Sequence, residues 1–140
     1  MRLRKRITKI AAVVVLCTMV FPFNAFAYDT GTGTVKVPYN KTLVKAKTGI
    51  KRSGAYNYVM TKANSVYPVQ EGKKDTFTKC YTQWFTQGDT AITSKTSLTE
   101  GNLAKLTVKN GYLNATNVVL KFGGNDPDEN AKVAYYYNGK

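Results

Sequence analysis

The residues with the most evident chemistry in this chain sit in one stretch, Gly123-Gly124-Asn125-Asp126-Pro127-Asp128-Glu129-Asn130. Asp126, Asp128 and Glu129 bring three carboxylates close together in sequence. Calcium takes hard oxygen ligands clustered in this way. A helical calcium loop that began at Asp126 would need a glycine at its sixth place and a glutamate at its twelfth. Ala131 and Tyr137 stand there instead, so the helical pattern fails twice. A looser calcium site on Asp126, Asp128 and Glu129 is the remaining metal expectation. The plainer expectation is a polar hairpin loop that turns Phe122 back into Val133, because Gly, Asn, Asp and Pro are turn residues.

Catalysis is constrained by inventory. The chain has no histidine, so Cys80 and every serine lack the usual base of a nucleophilic triad. One cysteine with no histidine cannot build a zinc site. A glycosidase needs two carboxylates facing each other across a cleft. Glu71, Asp75, Asp89 and Glu100 all fall in or beside expected turns among lysines, which suits solvated loop acids. Gly31-Thr32-Gly33 leads into a strand rather than a helix, so it lacks phosphate-loop geometry. The chain is read as non-enzymatic, with no catalytic residue and no cofactor.

The charge is strongly biased. Five of the 21 basic residues lie in the first 27 positions; beyond them sixteen face eight acids, a net of +8. Such a balance attracts polyanions. All sixteen are lysines except Arg52. Arginine is the residue of bidentate phosphate and base recognition, so its scarcity argues against sequence-specific nucleic-acid binding. Lysine is a diffuse point charge that suits an anionic cell-wall polymer or a phospholipid surface. Lysines at outward strand positions also discourage edge-to-edge aggregation, whatever they bind.

Aromatic residues are the second bias. Tyr135-Tyr136-Tyr137 puts rings on both faces of one strand, and exposed Tyr and Trp recur at interfaces. Trp84, Tyr135, Tyr136, Tyr137, Lys51 and Arg52 are therefore the surface-contact candidates. Core packing and cross-strand aromatic pairs are the competing expectation for the rings.

The elements that must position these residues are strands. Thr, Tyr and Val dominate, turn residues recur at short intervals, and no stretch keeps a 3.6-residue period. Strands are expected over Thr30–Val37, Leu43–Ala46, Ala55–Lys62, Thr76–Thr86, Ala91–Leu98, Lys105–Lys109, Asn117–Phe122 and Val133–Tyr137. Thr48–Gly54 reads as a basic turn and Gln70–Asp75 as a polar loop. Within Thr76–Thr86 both faces are mixed: Phe77, Tyr81 and Phe85 alternate with Cys80, Thr82 and Trp84. Asn110-Gly111 after the alternating Lys105–Lys109 run predicts a type I′ hairpin. The expected fold is all-β, a small antiparallel β-sandwich of about seven to eight strands.

Residues 1–27 read as a cleaved secretory signal peptide. Arg2, Arg4, Lys5, Arg6 and Lys9 form a basic segment, Ile10–Phe23 is mainly apolar, and Ala25-Phe26-Ala27 is a small-x-small cleavage site. Residues 28–140 then form one domain, secreted or extracellular. Cys80 is its only thiol, so no intramolecular disulfide can form. Burial as a small apolar residue is the plain expectation; the alternative is an intermolecular disulfide that joins two copies through Cys80.

The basic signal peptide, the Tyr- and Thr-rich remainder and the ending "VVLKFGGNDPDENAKVAYYYNGK" resemble small secreted β-sandwich proteins of Gram-positive bacteria. Among these, the lactococcin-972-type bacteriocins are the nearest with an assigned activity. They are shorter and contain histidine, so no functional residue carries over. The expected function is a basic protein acting at an anionic cell surface or envelope. A bacteriocin-like antimicrobial protein and a carbohydrate-binding module are the alternatives.

Overall fold

The computed structural model describes residues 28–70 and 77–140. The expected signal peptide and most of the Gln70–Asp75 loop lie outside the described residues. The described chain forms β1 (Thr30–Val37), β2 (Val44–Lys51), β3 (Tyr58–Pro68), β4 (Lys79–Thr86), β5 (Thr96–Thr99), β6 (Leu103–Thr107), a short 3₁₀ turn (Asn110–Tyr112), β7 (Asn117–Gly124) and β8 (Ala131–Asn138). Two four-stranded sheets result: sheet I in the order β1-β8-β3-β6 and sheet II in the order β2-β7-β4-β5.

The topology follows from one pairing rule. β1 pairs with β8, β2 with β7, β3 with β6 and β4 with β5, every pair antiparallel. The chain is thus one long ribbon doubled back at the β4–β5 turn, and successive rungs go alternately to sheet I and sheet II. The β3–β8 and β4–β7 ladders join the rungs. This is jelly-roll wrapping, a sandwich of two antiparallel sheets, and the expected β-sandwich is what the chain forms.

The core lies between the sheets and is supplied by period-two alternation. β8 points Val133, Tyr135 and Tyr137 inward, β7 points Val118, Leu120 and Phe122, and β6 with the residues after it supplies Leu106 and Val108. On β4 the buried face is Cys80, Thr82 and Trp84. Its polar atoms are satisfied there: Thr82 Oγ1 donates to the Lys121 carbonyl at 3.1 Å, and Trp84 Nε1 donates to Thr61 Oγ1 at 2.8 Å.

Three local expectations are corrected. Thr48–Lys51 is the end of β2 rather than a turn. Gly49, at φ 64°, lies within the register shift between Lys47 and Ile50. Such a bulge re-aims the strand so that Ile50 is buried while Lys47 and Lys51 stay exposed. Asn110-Gly111 closes no hairpin, and neither residue has the positive φ of a type I′ turn. β6 belongs to sheet I and β7 to sheet II, so this connection has to cross between sheets. The same applies after Phe122: β7 and β8 lie in different sheets, so residues 125–130 are a crossover and not a hairpin loop. That crossover packs on the β1–β2 connection. Lys41 N donates to the Gly124 carbonyl at 2.8 Å, and Asn40 N to the Asp126 carbonyl at 2.8 Å.

Candidate functional site on the outer face of sheet I

Most of the expected contact residues are interior. Trp84 is 0% exposed, and its ring meets Tyr137 edge-on with centroids 6.4 Å apart. Tyr135 and Tyr137 are 3% and 6% exposed. Tyr135 Oη donates to the Ala46 carbonyl at 3.1 Å, tying β8 to β2 of the opposite sheet. Arg52 is 2% exposed. Its guanidinium donates to the carbonyls of Leu113, Tyr56 and Ala115. These four residues are therefore corrected from surface contacts to packing groups, because each large side chain finds its partners between or beneath the sheets. Lys51 is exposed and Tyr136 half-buried on the outer face of sheet I.

Cys80 is buried, and burial pushes its thiol pKa up to about 12. A thiol so placed is shielded from a second copy while the fold is intact. In the acidic crossover, Asp126 Oδ1 accepts the backbone N–H groups of Asp128 at 2.8 Å and Glu129 at 2.7 Å. Asp126 thus caps its own turn. Among the described residues no group of three His, Cys, Asp or Glu is arranged to hold a metal. Asp128 and Glu129 line an open depression of about 310 Å³ with Val69, Gln70 and Asn130.

The outer faces of the two sheets treat lysine differently. On sheet II, Lys45 of β2 stands directly opposite Lys121 of β7. Like charges so placed repel. Here Asp89 relieves them: its carboxylate pairs with Lys121, whose ammonium also lies 4.2 Å from the Phe85 ring centroid. The hydrogen bond from Lys121, with the charges of Lys121 and Lys45, holds the Asp89 carboxyl below its ordinary range. Nearby, Lys41 and Lys95 flank the Tyr81 ring at 5.2 and 5.7 Å.

On sheet I the outward residues form rows across the strands. Lys36, Lys132 and Tyr67 make one row, and Thr34, Ala134 and Ser65 the next. Thr32, Tyr136, Lys62 and Leu103 follow, then Thr30, Asn138, Met60 and Lys105. Each strand contributes one lysine, and no row contains an acid. Lys105 lies 3.7 Å from the Tyr58 ring centroid and Lys132 5.7 Å from that of Tyr67. Lys36, Lys62, Lys105 and Lys132 were not among the expected contacts. Strand parity is the signal for Lys36, which shares its phase with Thr30, Thr32 and Thr34, and for Lys105, which shares its phase with Thr107. Lys62 shares its phase with Tyr58 and Met60, so only the register places it on this face.

No family model matches the chain, and no curated protein matches it. Among solved structures it is similar to a chain from Bacillus endospore appendages, described as forming "a novel family of disulfide-linked pili". The two are 11% identical over 79% of this chain and 86% of that one, with a TM-score of 0.35. A score at that level sets no residue of one chain against a residue of the other.

Proposed function

We propose that this chain is a secreted, non-enzymatic protein that binds an anionic cell surface or envelope through the outer face of sheet I. The observation that carries this reading is the set of four lysines, one per strand, on a face whose register rows hold no acid. Along β1 their surroundings are polar, with Thr30, Thr32 and Thr34 exposed, while the exposed Leu103 stands beside Lys62 and Met60 beside Lys105. Lysine ammoniums on a sheet face attract a negatively charged surface without demanding one geometry, and the surplus of base over acid reinforces the field. Export fits the basic, apolar, small-x-small order of residues 1–27.

The test is co-sedimentation of residues 28–140 with purified Gram-positive cell walls and with phosphatidylglycerol-rich vesicles across a salt series. Binding is expected at low salt and should fall steeply as screening shortens the Debye length to about 3 Å near 1 M. Binding that persists unchanged in high salt would overturn the electrostatic account. The sugar-binding alternative loses its principal ring with Trp84 buried.

A further inference from the structure

On that reading, one part of the face has the build of a defined anion seat. Lys36 and Lys132 are direct cross-strand partners on the outer side of the β1–β8 ladder. Residues opposed in this way have Cβ atoms roughly 5 Å apart, and like charges there are destabilising. The sandwich contains the same arrangement a second time, at Lys45 and Lys121, and there it supplies Asp89. Neither Lys36 nor Lys132 has an ion pair among the described residues. The neighbours of the pair are Thr34, Ser65 and Tyr67, which bring hydroxyl groups, and Ala134, a small side chain in the centre of the next row. Two ammoniums beside hydroxyls and a small side chain can hold an oxyanion through charge-assisted hydrogen bonds.

We infer that Lys36 and Lys132 seat a phosphate group of a linear polyanion, and that Lys62 and Lys105 continue its track diagonally across sheet I. The order is Lys36 on β1, Lys132 on β8, Lys62 on β3 and Lys105 on β6. Strand spacing and rise put the ends of that track roughly 25 Å apart in the plane of the sheet. An extended polymer with phosphates at intervals can follow such a line. A lipid surface would call for apolar side chains beside the lysines, to enter the acyl boundary; hydroxyl-bearing residues and Ala134 stand beside Lys36 and Lys132 instead. The exposed Leu103 stands beside Lys62, so the Lys36–Lys132 end is the one that favours a polymer, and the vesicles test the other.

The experiment compares the chain with Lys36→Gln, Lys132→Gln and, as a charge-matched control on sheet II, Lys51→Gln. Probes are long-chain polyphosphate, inorganic phosphate, and vesicles of phosphatidylglycerol and phosphatidylcholine, all at low salt. Polyphosphate should bind the parent chain far more tightly than inorganic phosphate. Lys36→Gln and Lys132→Gln should each weaken it about tenfold, the worth of one charge-assisted contact, and Lys51→Gln by less than about twofold, as a general field effect. Melting temperatures without polymer should be equal to or above the parent's for Lys36→Gln and Lys132→Gln, since each relieves a like-charge pair. That readout separates lost binding from lost folding. Equal weakening by all three variants would overturn the seat and leave the envelope reading standing. Binding to the vesicles without binding to polyphosphate would also overturn the polymer track while sparing that reading. Binding to none of the probes would remove both.

Discussion

Tyr135 occupies the space that a side chain on Gly33 would need. The two residues face each other across the β1–β8 ladder, and a Cβ on Gly33 would stand 2.6 Å from Tyr135 Cζ. Gly31 and Tyr137 repeat the arrangement two residues along, at 2.8 Å to Tyr137 Oη. Glycines on an edge strand covered by aromatic rings of the neighbouring strand are a device for filling a core that the glycines leave open.

Gly33→Ala should therefore destabilise the fold by about 1–3 kcal/mol, the usual cost of overpacking. The ring cannot swing aside cheaply because Tyr135 Oη is held by the Ala46 carbonyl. Gly111→Ala, where nothing lies within 4 Å of the added methyl, should be close to neutral. Urea denaturation of the two variants makes the comparison, and equal midpoints would contradict the packing account.

Thr61 and Trp84 join the sheets by a hydrogen bond buried from solvent at both ends. Thr61→Val keeps the shape and removes the acceptor, leaving the indole N–H unpaired at a cost of about 1–3 kcal/mol. Trp84 is the only tryptophan, so intrinsic fluorescence reports the site directly. The variant should unfold at lower urea with little change in native emission maximum. A large red shift in the native state would mean that the indole had left the core.

Cys80 gives the fold an alkaline limit. Its pKa rises from 9.0 to about 12 on burial, so the folded state keeps a proton that the unfolded state releases between these values. The thiol's contribution is complete below about pH 9 and is lost as pH climbs toward 12, with a slope near 1.4 kcal/mol per pH unit for one group. Tyr135 and Tyr137, raised chiefly by burial, act in the same direction. Cys80→Ala should flatten the decline of stability above pH 9. In the parent, a thiol reagent at pH 8 should label Cys80 only after denaturant is added, and rapid labelling of the native protein would refute its burial.

Asp89 should matter most at low salt. Asp89→Asn keeps a residue that tolerates the left-handed φ of 68° and removes the charge that relieves Lys45 and Lys121. The parent should be the more stable at neutral pH. Because the folded carboxyl is held below its ordinary 3.8, that advantage is present above this value and lost as pH falls through the folded pKa. Melting curves at two salt concentrations and across acid pH check both dependences; a gap independent of each would show that the ion pair is not its cause.

The strands were legible in the sequence because period-two alternation and turn residues are local signals. What was not legible depended on which sheet a strand joins. Asn110-Gly111 carries a strong local hairpin signal, yet β6 and β7 belong to different sheets, and wrapping overrode it. Thr76–Thr86 showed two mixed faces. Trp84 could go inward only because Thr61, on the other sheet, offered its indole an acceptor. Arg52 read as a surface charge, but carbonyls of the Tyr56 and Leu113–Ala115 segments converge on it. Tyr135 and Tyr137 read as exposed because their match lies in Gly31 and Gly33, near the other end of the chain. The basic face was foreshadowed by charge, but its rows needed the register.

The place of β8 in sheet I also sets an order of events in time. It is the last of the described strands, yet it lies between β1 and β3. Until it arrives, β1 has no partner in its sheet, β3 has one open side, and the glycines of β1 have no rings to cover them. Pairing between the first and last strands closes a very long loop, so collapse is expected to be slow, in the millisecond-to-second range of sandwich folds. A chain cut before Ala131 would be left with β1 unpaired and one edge of β3 open in sheet I as templates for aggregation, not with a slightly weaker sandwich. β8 thus works as a latch, and sheet I closes only when that strand is in place.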